Sequence, residues 1–240
     1  QTALPALTDT SGGTTILGKS DNVYIIGTLT ASGTNGFVLT SNNNKIQGLD
    51  IVGFSGNGIV INGDNNTIGT NGDGTNDSVE DNFIRNNGKN GILVNTGADN
   101  NRISGNMIGL NRTGGVEGNA WNGIDVMGSN NRIGVHGNNI SDNLEGNSII
   151  GNAQNGITVT NGGNIISGNK IRSNTYHGIS VTTATGTLIG TNGDNISDAL
   201  EGNLISANFD YGIQIYNSSD NKVSGNKIGT NETGDDNHNN

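Results

Sequence analysis

Along this chain aliphatic residues alternate with polar ones at a spacing of two, in runs only three or four residues long. Between Gly156 and His177, Ile157 with Val159, then Ile165, then Ile171 mark three such runs, and glycine or asparagine fills each gap. Period-two alternation predicts half-buried strands, and the Gly/Asn gaps predict tight corners between them. Three such strands cannot bury their own apolar face. They must stack on further strands of the same kind.

The same unit recurs. A glycine followed by an aliphatic residue opens a unit at Gly58, Gly91, Gly123, Gly156, Gly178 and Gly212, with Gly36-Phe-Val-Leu39 as a degenerate first member. The spacings are 22, 33, 32, 33, 22 and 34 residues, so a 22-residue core turn carries an insertion of roughly 10 to 12 residues in some copies. Fixed-period self-similarity of this kind predicts a coil of stacked turns. The expected fold is all-β, a parallel β-helix (β-solenoid) with three short strands per turn, right-handed by the crossover rule. Residues 1–35 fit the repeat poorly and are expected to form one or two irregular turns, with continuous repeats over 36–240.

Aligning the turns gives two columns of asparagine. The first holds Asn82, Asn106, Asn147, Asn169, Asn203 and Asn226. The second, five residues later in each turn, holds Asn87, Asn111, Asn152, Asn174, Asn208 and Asn231. Asparagine tolerates the left-handed backbone of a corner, and stacked amides can bond from turn to turn. Both columns are read as structural ladders.

Composition changes the picture in two places. Apolar residues are only 30% of the chain, against 41 glycines and still more asparagines, which by itself suggests disorder. The repeat overrides that suggestion, because isoleucine sits at the inward positions of successive turns, where β-branched side chains stack well. A net charge of −10 argues against nucleic acid and anionic membrane surfaces as partners. There is no cysteine and no apolar run long enough to span a bilayer. A chain that begins at Gln1 without an apolar leader reads as a processed or excised segment. It ends two residues short of the next expected turn glycine, which implies continuation in a longer protein or stacking on another molecule.

Acidic residues concentrate in the insertions, as Asp77-Ser-Val-Glu80, Asp142-Asn-Leu-Glu145 and Asp198-Ala-Leu-Glu201. Asp-x-x-Glu is the layout of a capping box, so a single helical turn closing each loop is the first reading. Calcium is the alternative, with Asp73, Asp77, Glu80, Asp142, Glu145, Asp194, Asp198 and Glu201 as candidate oxygen ligands. For catalysis, the outward residues of the first strand in each turn are Val60, Leu93, Asp125, Thr158, Ser180 and Gln214, of which one is acidic. Asp125 with Arg102 and Arg132 is the catalytic candidate. Trp121, Tyr176 and Tyr211 precede turn glycines and read as corner packing, with sugar stacking as the rival. His136, His177 and His238 share no repeated partner and read as surface residues.

Several phrases, Leu4-Pro-Ala-Leu7, Gly53-Phe-Ser-Gly-Asn-Gly-Ile59, Asn65-Asn-Thr-Ile-Gly69, Ile189-Gly-Thr-Asn-Gly-Asp194 and Glu201-Gly-Asn203, carry a family likeness. On them the sequence resembles the right-handed parallel β-helix repeat modules of large secreted and cell-surface bacterial or archaeal proteins. The resemblance implies an extracellular or surface location and supplies no catalytic motif. The leading expectation is a non-enzymatic stalk or adhesin segment, joined to flanking domains or stacking end to end on copies of itself into a filament. The alternative is a carbohydrate-binding or carbohydrate-active β-helix, of lyase, epimerase or hydrolase type and possibly calcium-dependent, with polysaccharide as partner.

Overall fold

The computed structural model describes residues 4–18, 23–234, 237 and 239–240. Twenty-three strands of two to four residues wind into a coil with three parallel sheets. In the turn from Gly156, Ile157–Val159 lies in the first sheet, Ile165–Ser167 in the second and Lys170–Arg172 in the third. The first sheet has seven strands and the other two have eight each. Every strand pairs in parallel with its equivalent one turn away, for example Ile124 with Ile157 and Ile157 with Ile179. Thr15–Leu17 and Val23–Ile26, from the segment expected to be irregular, pair in register with Lys45–Gln47 and Leu49–Val52 and so begin the coil.

The inward residue of each strand is almost always isoleucine, and equivalent isoleucines stack. Ile59, Ile92, Ile124, Ile157 and Ile179 line the first sheet; Ile46, Ile68, Ile103, Ile133, Ile166 and Ile189 the second; Ile51, Ile84, Ile108, Ile149, Ile171 and Ile205 the third. All are fully buried. Stacked branched chains with one preferred rotamer fill a narrow core without voids, which compensates for the low apolar content. Corners are tight enough to select glycine. At Gly69, with φ 91°, an added Cβ would lie 2.0 Å from the Ser104 carbonyl oxygen of the next turn.

The corner between the second and third sheets carries the first asparagine column. Each side-chain amide from Asn82 to Asn203 donates to the Oδ1 of the next member at 2.8–3.0 Å, and the column ends at Asn226. The same amides donate to the carbonyls of Ile46, Ile68, Ile103, Ile133 and Ile166 in the turn before, and Asn226 donates to that of Ile189. Each column member from Asn82 to Asn203 therefore touches three turns. It satisfies a backbone carbonyl at a corner where the backbone leaves the sheet.

The second column differs from the expected one at two places. It runs Asn87, Asn119, Asn152, Asn174, Asn208, Asn240. Asn111 and Asn231 are not in it. Asn111 Oδ1 accepts from the Thr113 and Gly115 N–H groups and its amide donates to Glu117, while Asn231 Oδ1 accepts from the Thr233 hydroxyl and Gly234 N–H. In these two turns an insertion follows the third-sheet strand, so the column position lies beyond the loop and not five residues along. Two further asparagine columns occur at other corners. Asn44, Asn66, Asn101, Asn131 and Asn164 bond in series before the second sheet, and Asn35, Asn57, Asn90, Asn122 and Asn155 before the first.

Replacing Asn119 with alanine removes an acceptor for Asn87 and a donor to the Ile84 carbonyl, leaving buried groups unpaired. It is expected to cost about 2–4 kcal/mol, the sum of two unsatisfied groups, whereas Asn111→Ala is expected to cost under about 1 kcal/mol. Urea titration followed by circular dichroism checks this. Equal midpoints for the two variants would contradict the column assignment.

Candidate functional site

Three insertions follow second-sheet strands in alternate turns and share one design. Each holds a short helical turn: a 3-10 turn at Asp77–Val79, then α1 at Asp142–Glu145 and α2 at Asp198–Glu201. The expected capping box does not form. The residues ahead of these turns, Asn76, Ser141 and Ser197, have φ of 63°, 55° and 55°, and none caps its helix through the side chain. That left-handed approach turns the carboxylates back over the loop. Asp77, Asp142 and Asp198 accept from the N–H groups of Gly74, Asn139 and Asn195 at 2.7–3.0 Å. Glu80, Glu145 and Glu201 accept from those of Asn71, His136 and Asn192.

The three loops also stack on one another. The Ser197 hydroxyl donates to Asp142, and Ser141 donates to Asp77 in the same way. Glu145 lies over Gly72 and Glu201 over Gly137; a Cβ at either glycine would come within 2.0 and 2.2 Å of a carboxylate oxygen. Asp73 and Asp194 each accept from a neighbouring asparagine amide and a backbone N–H. All eight carboxylates considered for calcium thus bond to donors of the chain itself. Among the described residues no group of three or more His, Cys, Asp or Glu side chains is placed to hold a metal ion.

Asp125, Arg102 and Arg132 do not form one site. Asp125 is on the first sheet, flanked in register by Leu93 and Thr158, and forms no ion pair among the described residues. Burial raises its pKa, against a hydrogen bond with Asn122. Arg102 and Arg132 are neighbours on the second sheet and serve the loops. Arg102 bridges the first two loops by an ion pair to Glu145. Arg132 donates to the Val135 carbonyl at 3.1 Å; burial lowers its pKa, partly offset by Glu201, Glu145 and Asp142. An outward column read by sheet position alone cannot show that two sheets meet at an angle with a corner between them.

The aromatic residues are not one row. Trp121 and Tyr176 share a corner column with Lys89, Gln154 and Asp210, and Lys89 lies 5.2 Å over the Trp121 ring. Tyr211 is one position on and stacks on His177 with ring centroids 5.3 Å apart. His136 sits in the second loop, where burial and the charges of Arg102 and Arg132 lower its pKa. His238 lies outside the described residues.

A groove runs along the outer face of the third sheet, with two adjoining hollows of about 510 and 440 Å³. Its floor includes Ser148, Lys170 and Leu204, one from each of three successive turns. The helical turns α1 and α2 form one wall. The insertions after the third-sheet strands, at Leu110–Val116 and Asn231–Glu232, form the other. In a chain of net charge −10, three cations gather here: Lys170, Arg172 and Lys227. Among the described residues, Glu232 is the acidic residue paired with them. Lys170 Nζ is 2.5 Å from Glu232 Oε1, and Lys227 donates to the Glu232 carbonyl. The Lys170 hydrogen bond and charge lower the Glu232 pKa, with smaller contributions from Arg172 and Lys227. Sequence reading missed this cluster, although Lys170-Ile-Arg172 places two cations on the outward side of one strand. Nearer the start of the same sheet, Arg85 is bound to Asp50 at 3.0 Å and to Glu117, so its charge is already neutralised.

One protein-family model agrees with the fold over part of the chain. Residues 134–236 match the family model described as right handed beta helix region. No curated protein sequence matches the chain. Among solved structures, the periplasmic alginate epimerase AlgG aligns at 17% identity with a TM-score of 0.36, over 81% of this chain and 46% of that one. A double mutant of AlgG aligns at 18% identity with a TM-score of 0.40, over 84% and 47%. This chain therefore spans less than half the length of the epimerase. Its fold is a right-handed parallel β-helix.

The stacked loops carry a pH signature. Burial raises the pKa of Asp142, but hydrogen bonds from Ser197 and the Asn139, Asn138 and Gly137 N–H groups outweigh it, so the net shift is downward. A carboxyl depressed in the folded state stabilises above its unfolded pKa of about 3.9 and loses that contribution as pH falls through the folded value. Asp142→Asn is therefore expected to lower stability by about 1–3 kcal/mol at pH 7, with the gap to the parent protein closing below about pH 4. Urea midpoints from pH 7 to 3 test it, and a gap that stays constant with pH would count against the assignment.

Proposed function

We propose that this chain is a non-enzymatic structural segment of a secreted or cell-surface protein, a rigid β-helical rod continued at its open edges by further turns. The observation that carries this reading is the state of the outermost strands. Ile215, Val223 and Ile228 are 42%, 45% and 44% exposed, whereas their equivalents one turn inward, Val181, Ile189 and Ile205, are fully buried. At the other edge the inward Ile16 and Ile25 are half-buried, against full burial of their equivalents Ile46 and Ile51 one turn inward. Unpaired strand edges beside apolar side chains favour pairing with another strand. A further turn, from a longer polypeptide or a second copy, supplies both the hydrogen bonds and the cover.

Asp125 stands on the first sheet between Leu93 and Thr158, while Arg102 and Arg132 on the second sheet serve the loops. The carboxylates of the loops are already bonded to backbone N–H groups, which suits a structural role. A second reading, polysaccharide binding, is favoured by the cationic groove of the third sheet.

Eight turns spaced by roughly 4.8 Å make a rod of roughly 40 Å. Electron microscopy and light scattering of the purified chain are expected to show rods much longer than that, formed by continuing the ladder from copy to copy. Monomers that stay dispersed at high concentration would count against open, pairing-competent edges. Repeating the measurement in EDTA tests calcium: rods lost on chelation would assign an ion to the junction.

A further inference from the structure

We propose that the groove of the third sheet binds an acidic polysaccharide, a polyuronate, with Lys170, Arg172 and Lys227 taking its carboxylates and Glu232 holding the place of one of them in the free protein. The inference rests on the binding reading above and names its ligand. Among the described residues Glu232 is the carboxylate paired with these cations, while Asp142, on the groove wall, is already bonded to Ser197 and to backbone N–H groups. The side chain of Glu232 is 68% exposed and that of Lys170 55% exposed. An exposed ion pair of this kind is weak and readily exchanged. A carboxylate from solution can therefore take the position of Glu232, and Arg172, which has no ion pair among the described residues, can add a forked contact.

The shape of the groove selects a polymer. Lys170, Leu204 and Lys227 occupy one outward column on three successive turns, so two cations stand two turns apart along the coil axis. A chain lying along that axis meets both charges. Two features favour a saccharide over an acidic peptide. At Ser148, Lys170 and Leu204 the floor is the face of strands paired on both sides, and only Lys227 lies on an edge strand, so an extended peptide running along the coil axis finds few backbone groups to bond. Beside the cations the lining offers hydroxyls, from Ser148, Ser173 and Ser206, suited to ring hydroxyl groups.

The test is titration calorimetry with oligogalacturonate, in parallel with neutral dextran and poly-L-glutamate, on the intact chain. Oligogalacturonate is expected to bind, dextran not, and poly-L-glutamate at least tenfold more weakly. The triple variant Lys170→Ala, Arg172→Ala, Lys227→Ala should lose at least tenfold in affinity. Lys222→Ala, on the second sheet outside the groove, should not. Glu232→Gln removes the internal competitor and should tighten binding several-fold. All these residues are solvent-exposed, so circular dichroism is expected to show every variant folded. Equal binding of poly-L-glutamate, an unchanged triple variant, or weaker binding by Glu232→Gln would each overturn the proposal. Rod formation is read separately: rods without oligogalacturonate binding sink this inference alone, and binding without rods sinks only the structural one. Appearance of new reducing ends would replace the binding reading with a catalytic one.

Discussion

Everything in this molecule depends on the registered stacking of one turn on the next. No strand exceeds four residues, and no single turn has an interior. Burial exists only between turns, where isoleucine stands on isoleucine and each asparagine amide bonds to the next. Stability in such a coil is a sum of nearest-neighbour contacts, so every turn both needs and supports its neighbours. The asparagine columns do what cysteines or a large apolar core do elsewhere: they fix the register, because a slipped turn would leave their buried amides unpaired.

That constraint explains where variation is tolerated. Insertions enter only at corners after the second or third strand, where the backbone has already left the sheet. They in turn obey the stacking rule. Loops two turns apart bond serine to aspartate, and a glutamate of one loop covers a glycine of the loop before. Arg102, on the turn between the first two, ties the arrangement together. The acidic residues that look like chemistry in the sequence are spent on holding loops to loops, with the ion pairs partly shielded from solvent.

The groove lies on the outer face of the third sheet because the insertions on either side raise walls around it. A flat sheet face alone would be a poor site; two rows of loops make it a groove. Its cations are conspicuous against the acidic remainder of the chain, and their long side chains can move without disturbing the coil beneath.

Period and alternation in the sequence were enough to determine the fold class, the three strands per turn, the inward isoleucines and the first asparagine column. These features are local or repeat exactly once per turn, so alignment of the chain with itself reveals them. The second column was legible only in turns without an insertion there; Asn119 and Asn240 replace Asn111 and Asn231 because a loop changes distance along the chain without changing place in the coil. The separation of Asp125 from Arg102 and Arg132, the backward reach of the Asp-x-x-Glu carboxylates, and the gathering of Lys170, Arg172, Lys227 and Glu232 were decided by tertiary structure. Each depends on how corners orient neighbouring sheets and on which loops stand side by side. Residues up to 62 positions apart, Lys170 and Glu232, meet there because the coil brings every turn back over the last.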